Sequence, residues 1–140
     1  MPALPTILLV DDDYTVNFLN TKLLRHLDPA VEVLTALNGR EALDLLRTHC
    51  QPRTPSCPAL VLLDVKMPVM DGFEFLEAYQ QLPAAQWEGV VVVMLTSSAS
   101  PRDIARLQGL PVAGFLSKPL TEAKVAQVVA DHFSPSPATP

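Results

Sequence analysis

The sequence has no long apolar stretch and no basic leader, the two features that would place the protein in or across a membrane. Its apolar runs all fall short of the roughly 18 residues that a membrane-spanning helix needs. Residues 1–5 offer neither the basic start nor the apolar core of a secretory signal. We therefore expect a cytoplasmic protein with no membrane segment.

Basic residues are too few and too scattered for a nucleic-acid-binding surface. The 140 residues include 10 Lys and Arg against 15 Asp and Glu, which gives a formal net charge of −5. Proteins that bind the phosphate backbone of nucleic acids depend on clustered Lys and Arg. We therefore predict no direct DNA binding.

Cysteine is scarce, since only Cys50 and Cys57 are present and both lie in a Pro-rich segment. With only His49 beside them, they are too few for a four-ligand zinc site. In the cytoplasmic setting expected above, we predict two reduced thiols in or beside a loop over residues 49–58.

Apolar residues, at 49% of the total, are sufficient to bury one continuous core. Five short runs of them, rich in β-branched side chains, predict strands that are buried on both faces. These runs are residues 6–10, 31–35, 59–63, 90–95 and 112–116.

Segments with helical spacing of apolar residues follow the strands. Asp71 and Thr121 are placed to cap the third and the last helix. The same spacing predicts which apolar side chains face the core. They are Val16, Leu19, Leu23 and Leu27 in the first helix, Phe73 and Leu76 in the third, Ile104 and Leu107 in the fourth, and Val125, Val128 and Val129 in the last. We expect one domain over residues 1–133 and a disordered tail over residues 134–140.

This alternation of strands and helices predicts an α/β fold, a doubly wound parallel sheet with right-handed crossovers. The flavodoxin-like (βα)5 arrangement, with strand order 2-1-3-4-5, fits a chain of this size. In that order the first and third strands lie side by side, and ligands bind beyond their carboxyl ends.

Polar side chains follow four of the five strands at that edge. They are Asp11 and Asp12 after the first strand, Asp64 after the third, Thr96 after the fourth and Lys118 after the fifth. Carboxylates that lie close together repel one another unless a cation neutralises them, and hard oxygen ligands favour Mg²⁺. Together with a lysine and a hydroxyl, such a site is suited to phosphoryl transfer onto a carboxylate.

Four motifs carry a resemblance to a known family. They are Ile-Leu-Leu-Val-Asp-Asp-Asp at 7–13, Leu-Val-Leu-Leu-Asp-Val-Lys-Met-Pro-Val-Met-Asp-Gly at 60–72, Met-Leu-Thr-Ser at 94–97 and Phe-Leu-Ser-Lys-Pro at 115–119. In this order, each at a strand end, they resemble the receiver domain of two-component response regulators. The resemblance extends from about residue 5 to about residue 133.

The resemblance implies that Asp64 is the phosphoacceptor. It also implies that Asp11, Asp12 and Asp64 hold Mg²⁺ together with the backbone carbonyl of Lys66. Asp13 is then an exposed third acid without a role in the chemistry.

The resemblance further implies a switch around the phosphoryl group. Thr96 and Lys118 would contact that group, and Thr96 would move towards it while Phe115 turns inward. An ordinary core aromatic is the alternative interpretation of Phe115. The Lys118–Pro119 peptide bond is expected to be cis, which would aim the lysine inward.

As a receiver, the protein would be a signalling domain and not an enzyme, with only self-catalysed phosphorylation and dephosphorylation. The donor would be a sensor histidine kinase or a phosphotransfer protein, and the target an unidentified protein. Because the chain ends shortly after the last predicted helix, we expect a stand-alone receiver. The partners are expected to bind the face made by the fourth helix, the fifth strand and the fifth helix.

Three other functions remain to be weighed. A Mg²⁺-dependent phosphatase with an aspartyl-phosphate intermediate usually has a second Asp two residues after the nucleophile, where this sequence has Lys66. A flavin-binding protein would need a phosphate-binding loop rich in Ser, Thr and Gly after the first strand, where this sequence has three aspartates. The third alternative function is that of a docking domain, which would bind a partner protein without being phosphorylated.

Overall fold

The computed structural model describes residues 4–50, 53–82, 89–97, 101–106 and 109–133. Strands and helices alternate along these residues. The strands are β1 (Ile7–Val10), β2 (Val33–Ala36), β3 (Leu60–Asp64), β4 (Val91–Thr96) and β5 (Gly114–Ser117). The helices are α1 (Tyr14–Leu27), α2 (Gly39–Cys50), α3 (Gly72–Tyr79), α4 (Pro101–Arg106) and α5 (Glu122–Phe133). None of the described helices is long and apolar enough to cross a bilayer.

The five strands form one parallel sheet in the order β2-β1-β3-β4-β5, which confirms the predicted flavodoxin-like arrangement. Val10 pairs with Leu63, Leu63 pairs with Met94, and Met94 pairs with Phe115. The carboxyl ends of the strands therefore meet at one edge, and the residues that follow them face a common space.

Alternate residues of the strands supply two separate apolar layers, one on each face of the sheet. One layer packs against α2 and α3, with Leu8, Val61 and Leu63 at its centre. The other packs against α1 and α5 and contains Ile7 and Leu62. The inner strands β1, β3 and β4 are buried on both faces, as predicted from their continuous apolar runs. The edge strands β2 and β5 are only partly buried, because each has a neighbouring strand on one side alone, so the prediction of full burial is wrong for these two.

Helix α1 turns Leu23 and Leu27 towards the core, as its apolar spacing predicts, but Leu19 does not follow. Leu19 is 56% exposed, and Asn17 is buried with Leu24. The Asn17 amide nitrogen donates to the carbonyl oxygens of Asp11 (3.0 Å) and Ala36 (3.2 Å), so the chain ends of β1 and β2 hold it inside. The prediction for Leu19 is therefore wrong, because a polar group that satisfies backbone carbonyls decides which face turns inward.

Helix α4 contributes less to the core than predicted. No residue of its described span is buried, and Ile104 is 41% exposed, so its predicted inward position is wrong. The guanidinium of Arg106 lies 3.9 Å from the centre of the Phe73 ring, and this cation–π contact connects α4 to α3 from the surface. Leu107 and the predicted tail, 134–140, lie outside the described residues.

Cys50 and Cys57 form a disulfide, with their Cα atoms 4.9 Å apart, so the prediction of two reduced thiols is wrong. The backbone and hydroxyl of Thr54 both donate to the carbonyl of His49, at 2.7 and 3.0 Å, and this turn brings the two cysteines together. Sequence spacing does not reveal such a turn. The bridge lies before β3 and therefore at the amino edge of the sheet, away from Asp64.

A capping box begins α3, as predicted for Asp71. The Asp71 carboxylate accepts from the backbone N–H of Glu74, and the Glu74 carboxylate accepts from that of Asp71. At the next position, a Cβ on Gly72 would lie 2.6 Å from the carbonyl oxygen of Asp64. Only glycine therefore allows α3 to start this close to the end of β3.

Val69, in the connection from β3 to α3, has a positive φ of 67° and is 80% exposed. A β-branched residue is strained in this left-handed region, because its Cβ crowds the backbone. Its exposed side chain contributes little packing in return.

Breaking the disulfide should destabilise the protein. Closing a loop of this length restricts the unfolded chain, and Cys50→Ala with Cys57→Ala should lower the free energy of unfolding in urea by about 2 kcal/mol. Dithiothreitol should destabilise the parent by a similar amount and leave the double variant unchanged. Equal stability of the parent with and without the reductant would contradict the bridge.

Replacing Val69 should relieve its backbone strain. Val69→Gly should be more stable than the parent, and more stable than Val69→Ala by about 1 kcal/mol, because alanine keeps a Cβ at the same positive φ. Urea unfolding of the three proteins measures this difference. If the alanine variant is as stable as the glycine variant, the strain at this position is absent.

Candidate acidic site at the carboxyl edge of the sheet

Three carboxylates meet where β1 and β3 end. Asp11 follows β1, Asp64 ends β3, and Asp12 comes directly after Asp11. One carboxylate oxygen from each lies within 4.8 Å of the others. Asp11 and Asp64 are buried, at 5% and 7% exposure, while Asp12 is exposed. The cluster is thus open to solvent on the side of Asp12.

The backbone around Asp11 is held on several sides. Its N–H donates to the carbonyl of Ala36 at 3.1 Å, and its own carbonyl accepts from the buried Asn17 amide. The Asp11 carboxylate also accepts from the backbone N–H of Asp13, at 2.9 Å. These bonds fix the direction of the Asp11 side chain before any ligand binds.

Lys118 reaches into the same cluster from the turn after β5. Its ammonium donates to the Asp11 carboxylate at 2.9 Å and lies 3.1 Å from that of Asp64. The Lys118–Pro119 peptide bond is cis, as predicted. The backbone N–H of Lys118 donates to the carbonyl of Thr96 at 2.8 Å, which connects this turn to the end of β4.

Burial and charge act against each other at this ion pair. Burial raises the pKa of Asp64, the nearby Asp11 adds to that rise, and the Lys118 ammonium opposes it. Burial alone would lower the pKa of Lys118, but its hydrogen bonds to Asp11 and Asp64 outweigh burial and raise it. The lysine therefore stays charged beside the two acids.

Thr96 and Phe115 lie beside this cluster. Thr96 is buried at the end of β4 and lines an open cleft. Phe115 is 43% exposed, so the alternative of an ordinary core aromatic is wrong. Residues that line the open cleft are Asp64, Val65, Lys66, Thr96, Ser97, Asp103 and Lys118.

Asp13 is exposed, as predicted, and does not belong to the cluster of three acids. Its carboxylate accepts from the backbone N–H groups of Thr15 (2.9 Å) and Val16 (3.4 Å) and so caps α1. Sequence reasoning missed this role, although an Asp directly before a helical pattern is a known capping signal. It also missed Asn17, for which the sequence gives no comparable signal.

The donor set fits Mg²⁺. All three side chains offer hard oxygen ligands, and with Lys118 the ionised cluster keeps a formal charge of −2. Mg²⁺ prefers a few carboxylates and retained water, and the exposed Asp12 leaves space for water. The Lys66 carbonyl remains a predicted fourth ligand.

A family model described as the response regulator receiver domain matches residues 7–130. A probable methanogenesis regulatory protein, FilR2 of Methanothrix harundinacea, is 31% identical over 94% of this chain and 88% of its own. Sporulation initiation phosphotransferase F of Bacillus subtilis is 28% identical over 91% and 92%.

Solved structures show the same likeness. The crystal structure of a two-component response regulator from Cytophaga hutchinsonii is 29% identical, with a TM-score of 0.80 over 92% of this chain and 96% of that one. The matched region contains each of the described strands, the acidic cluster and Lys118. The chain therefore belongs to the response regulator receiver domains, the signalling domains of two-component phosphorelays.

Proposed function

We propose that this receiver accepts a phosphoryl group on Asp64 from a sensor histidine kinase or a phosphotransfer protein. In the cytoplasm, the phosphorylated form would then change its binding to another protein. The observation that carries the proposal is the Lys118 ammonium, which lies 3.1 Å from the Asp64 carboxylate inside an acidic cluster. Burial raises the pKa of Asp64, and acids with a shifted pKa beside a specific charged partner are typical of functional sites.

The chemistry requires one nucleophile and several groups that stabilise charge. An Asp64 oxygen attacks phosphorus, the bond from phosphorus to the donor breaks, and the donor leaves with its electron pair. Lys118 would stabilise the negative charge that the phosphoryl oxygens carry, and the hydroxyl of Thr96, which lines the same cleft, would donate to one of them.

Asp11, Asp12, Asp64 and the Lys66 carbonyl would hold Mg²⁺ at this edge. When bound, the ion would offset the charge on the phosphoryl oxygens. The buried carboxylates of Asp11 and Asp64 lie close together, and a further positive charge beside them would reduce their mutual repulsion. Lys118 alone does not neutralise the cluster, which supports the use of a divalent ion.

The phosphatase alternative is not favoured. Turnover of an external substrate needs a general acid near the leaving group, and the position two residues after Asp64 is the exposed Lys66. A signalling domain that holds its own phosphoryl group needs no such acid.

The output surface that we propose is the face of α4, β5 and α5. Phe115 and Ile104 are both exposed there, and both line a small apolar cavity that Thr96 also borders. If Thr96 moves towards the phosphoryl group, the space that its side chain leaves would add to this cavity and allow Phe115 to turn inward. The surface that a partner meets would then change.

With Mg²⁺ and acetyl phosphate, the protein should gain one phosphoryl group by intact-mass analysis. Asp64→Asn should abolish this labelling, because an amide is a far poorer nucleophile. Asp12→Ala should slow it through loss of a metal ligand.

The matched control is Asp13→Ser, which removes a neighbouring carboxylate but keeps a side chain able to cap α1. It should label like the parent. Labelling of Asp64→Asn at the parent rate would overturn the proposal, and an unlabelled parent would favour docking without phosphorylation. Steady release of product from p-nitrophenyl phosphate would favour the phosphatase.

Phosphorylation should alter the proposed output face. Addition of beryllofluoride, a phosphoryl mimic, should change amide hydrogen exchange in α4, β5 and α5 of the parent and leave Asp64→Asn unchanged. A response confined to α1 and α2 would show that the signal takes another route.

A further inference from the structure

Lys124 stands at a position that ordinarily suits an acid. Thr121 caps α5, as predicted, and accepts from the backbone N–H of Lys124, so Lys124 is the third residue of the helix. The partial positive charge of a helix N-terminus favours Asp or Glu there, and α3 carries Glu74 at the equivalent place. A lysine at this point needs compensating contacts.

The compensation comes from the turn that carries Lys118. The Lys124 ammonium donates to the carbonyl oxygens of Ser117 (2.7 Å) and Pro119 (2.9 Å) and to the Ser117 hydroxyl (3.3 Å). An ammonium has three protons, so these three bonds use its full donor capacity. The two carbonyls belong to the residues on either side of Lys118.

The turn from Ser117 to Pro119 is thus held from two directions. Lys124 binds its carbonyls from the side of α5, and the Lys118 side chain extends the other way to Asp11 and Asp64. Ordering a long lysine side chain costs conformational entropy, and a fixed backbone reduces the range of positions that its ammonium can adopt.

We infer that Lys124 is a positioning residue for the phosphoryl-transfer site. It clamps the turn so that the Lys118 ammonium stays at the two buried carboxylates. This inference rests on the proposed function of Asp64, because the effect on labelling requires that reaction. Small misplacements of a charge-stabilising group slow a reaction strongly.

Lys124→Met removes the ammonium and keeps the length of the side chain. Its labelling by saturating acetyl phosphate and Mg²⁺ should be about tenfold slower than that of the parent. Lys124→Arg should retain at least half of the parent rate, because a guanidinium can still donate to carbonyls. The matched control is Lys22→Met, the same charge change on the surface of α1, where the ammonium lies over Phe18, and it should label like the parent.

A double-mutant cycle separates positioning from a general structural effect. In a Lys118→Met background, Lys124→Met should cause no further loss, because the group that it positions is already absent. An equal loss in both backgrounds would overturn the inference, and so would a parent-like rate for Lys124→Met alone.

A second readout does not depend on labelling. Nuclear magnetic resonance of the unphosphorylated protein should show faster hydrogen exchange at the Lys118 ammonium in Lys124→Met and no change in Lys22→Met. Unchanged exchange in Lys124→Met would overturn the inference. If the parent cannot be labelled, the proposed function fails, and this measurement still decides the role of Lys124.

Discussion

Repulsion between the buried carboxylates of Asp11 and Asp64 is the constraint on which the arrangement of this molecule depends. Asp11 follows β1 and Asp64 ends β3, and these two strands are paired, so the sheet itself brings the residues together. Such a pair is unfavourable without a positive charge between its members. The ammonium of Lys118 supplies one from the turn after β5.

The surrounding connections serve to keep the acids in place. Gly72 lets α3 begin against the end of β3, and the buried Asn17 amide ties the ends of β1 and β2 to α1. Each contact involves backbone atoms, which move little once the sheet has formed. The site is therefore preorganised by secondary structure more than by its own side chains.

The sequence predicts the strands, their order and the grouping of the acids because these depend on local apolar runs and on one topological rule. Prediction from sequence fails where a side chain hydrogen-bonds to a backbone carbonyl outside its own helix or turn pattern, because apolar spacing carries no signal for such a bond. Leu19 is exposed because Asn17 satisfies carbonyls from two strands, and the cysteines pair because Thr54 folds the chain back onto His49. The sequence marks Lys124 as an ordinary surface lysine, whereas the structure shows its ammonium bound to the carbonyls of Ser117 and Pro119.

The pairing of Cys50 with Cys57 has a practical consequence for observing the molecule at work. These are the two cysteines of the chain, and both are buried and bonded at the amino edge of the sheet. A cysteine introduced on the opposite side, as in Arg102→Cys at the exposed start of α4, would be the one thiol open to maleimide dyes or spin labels. The native bridge thus leaves the carboxyl edge free for site-specific probes without prior removal of either natural cysteine.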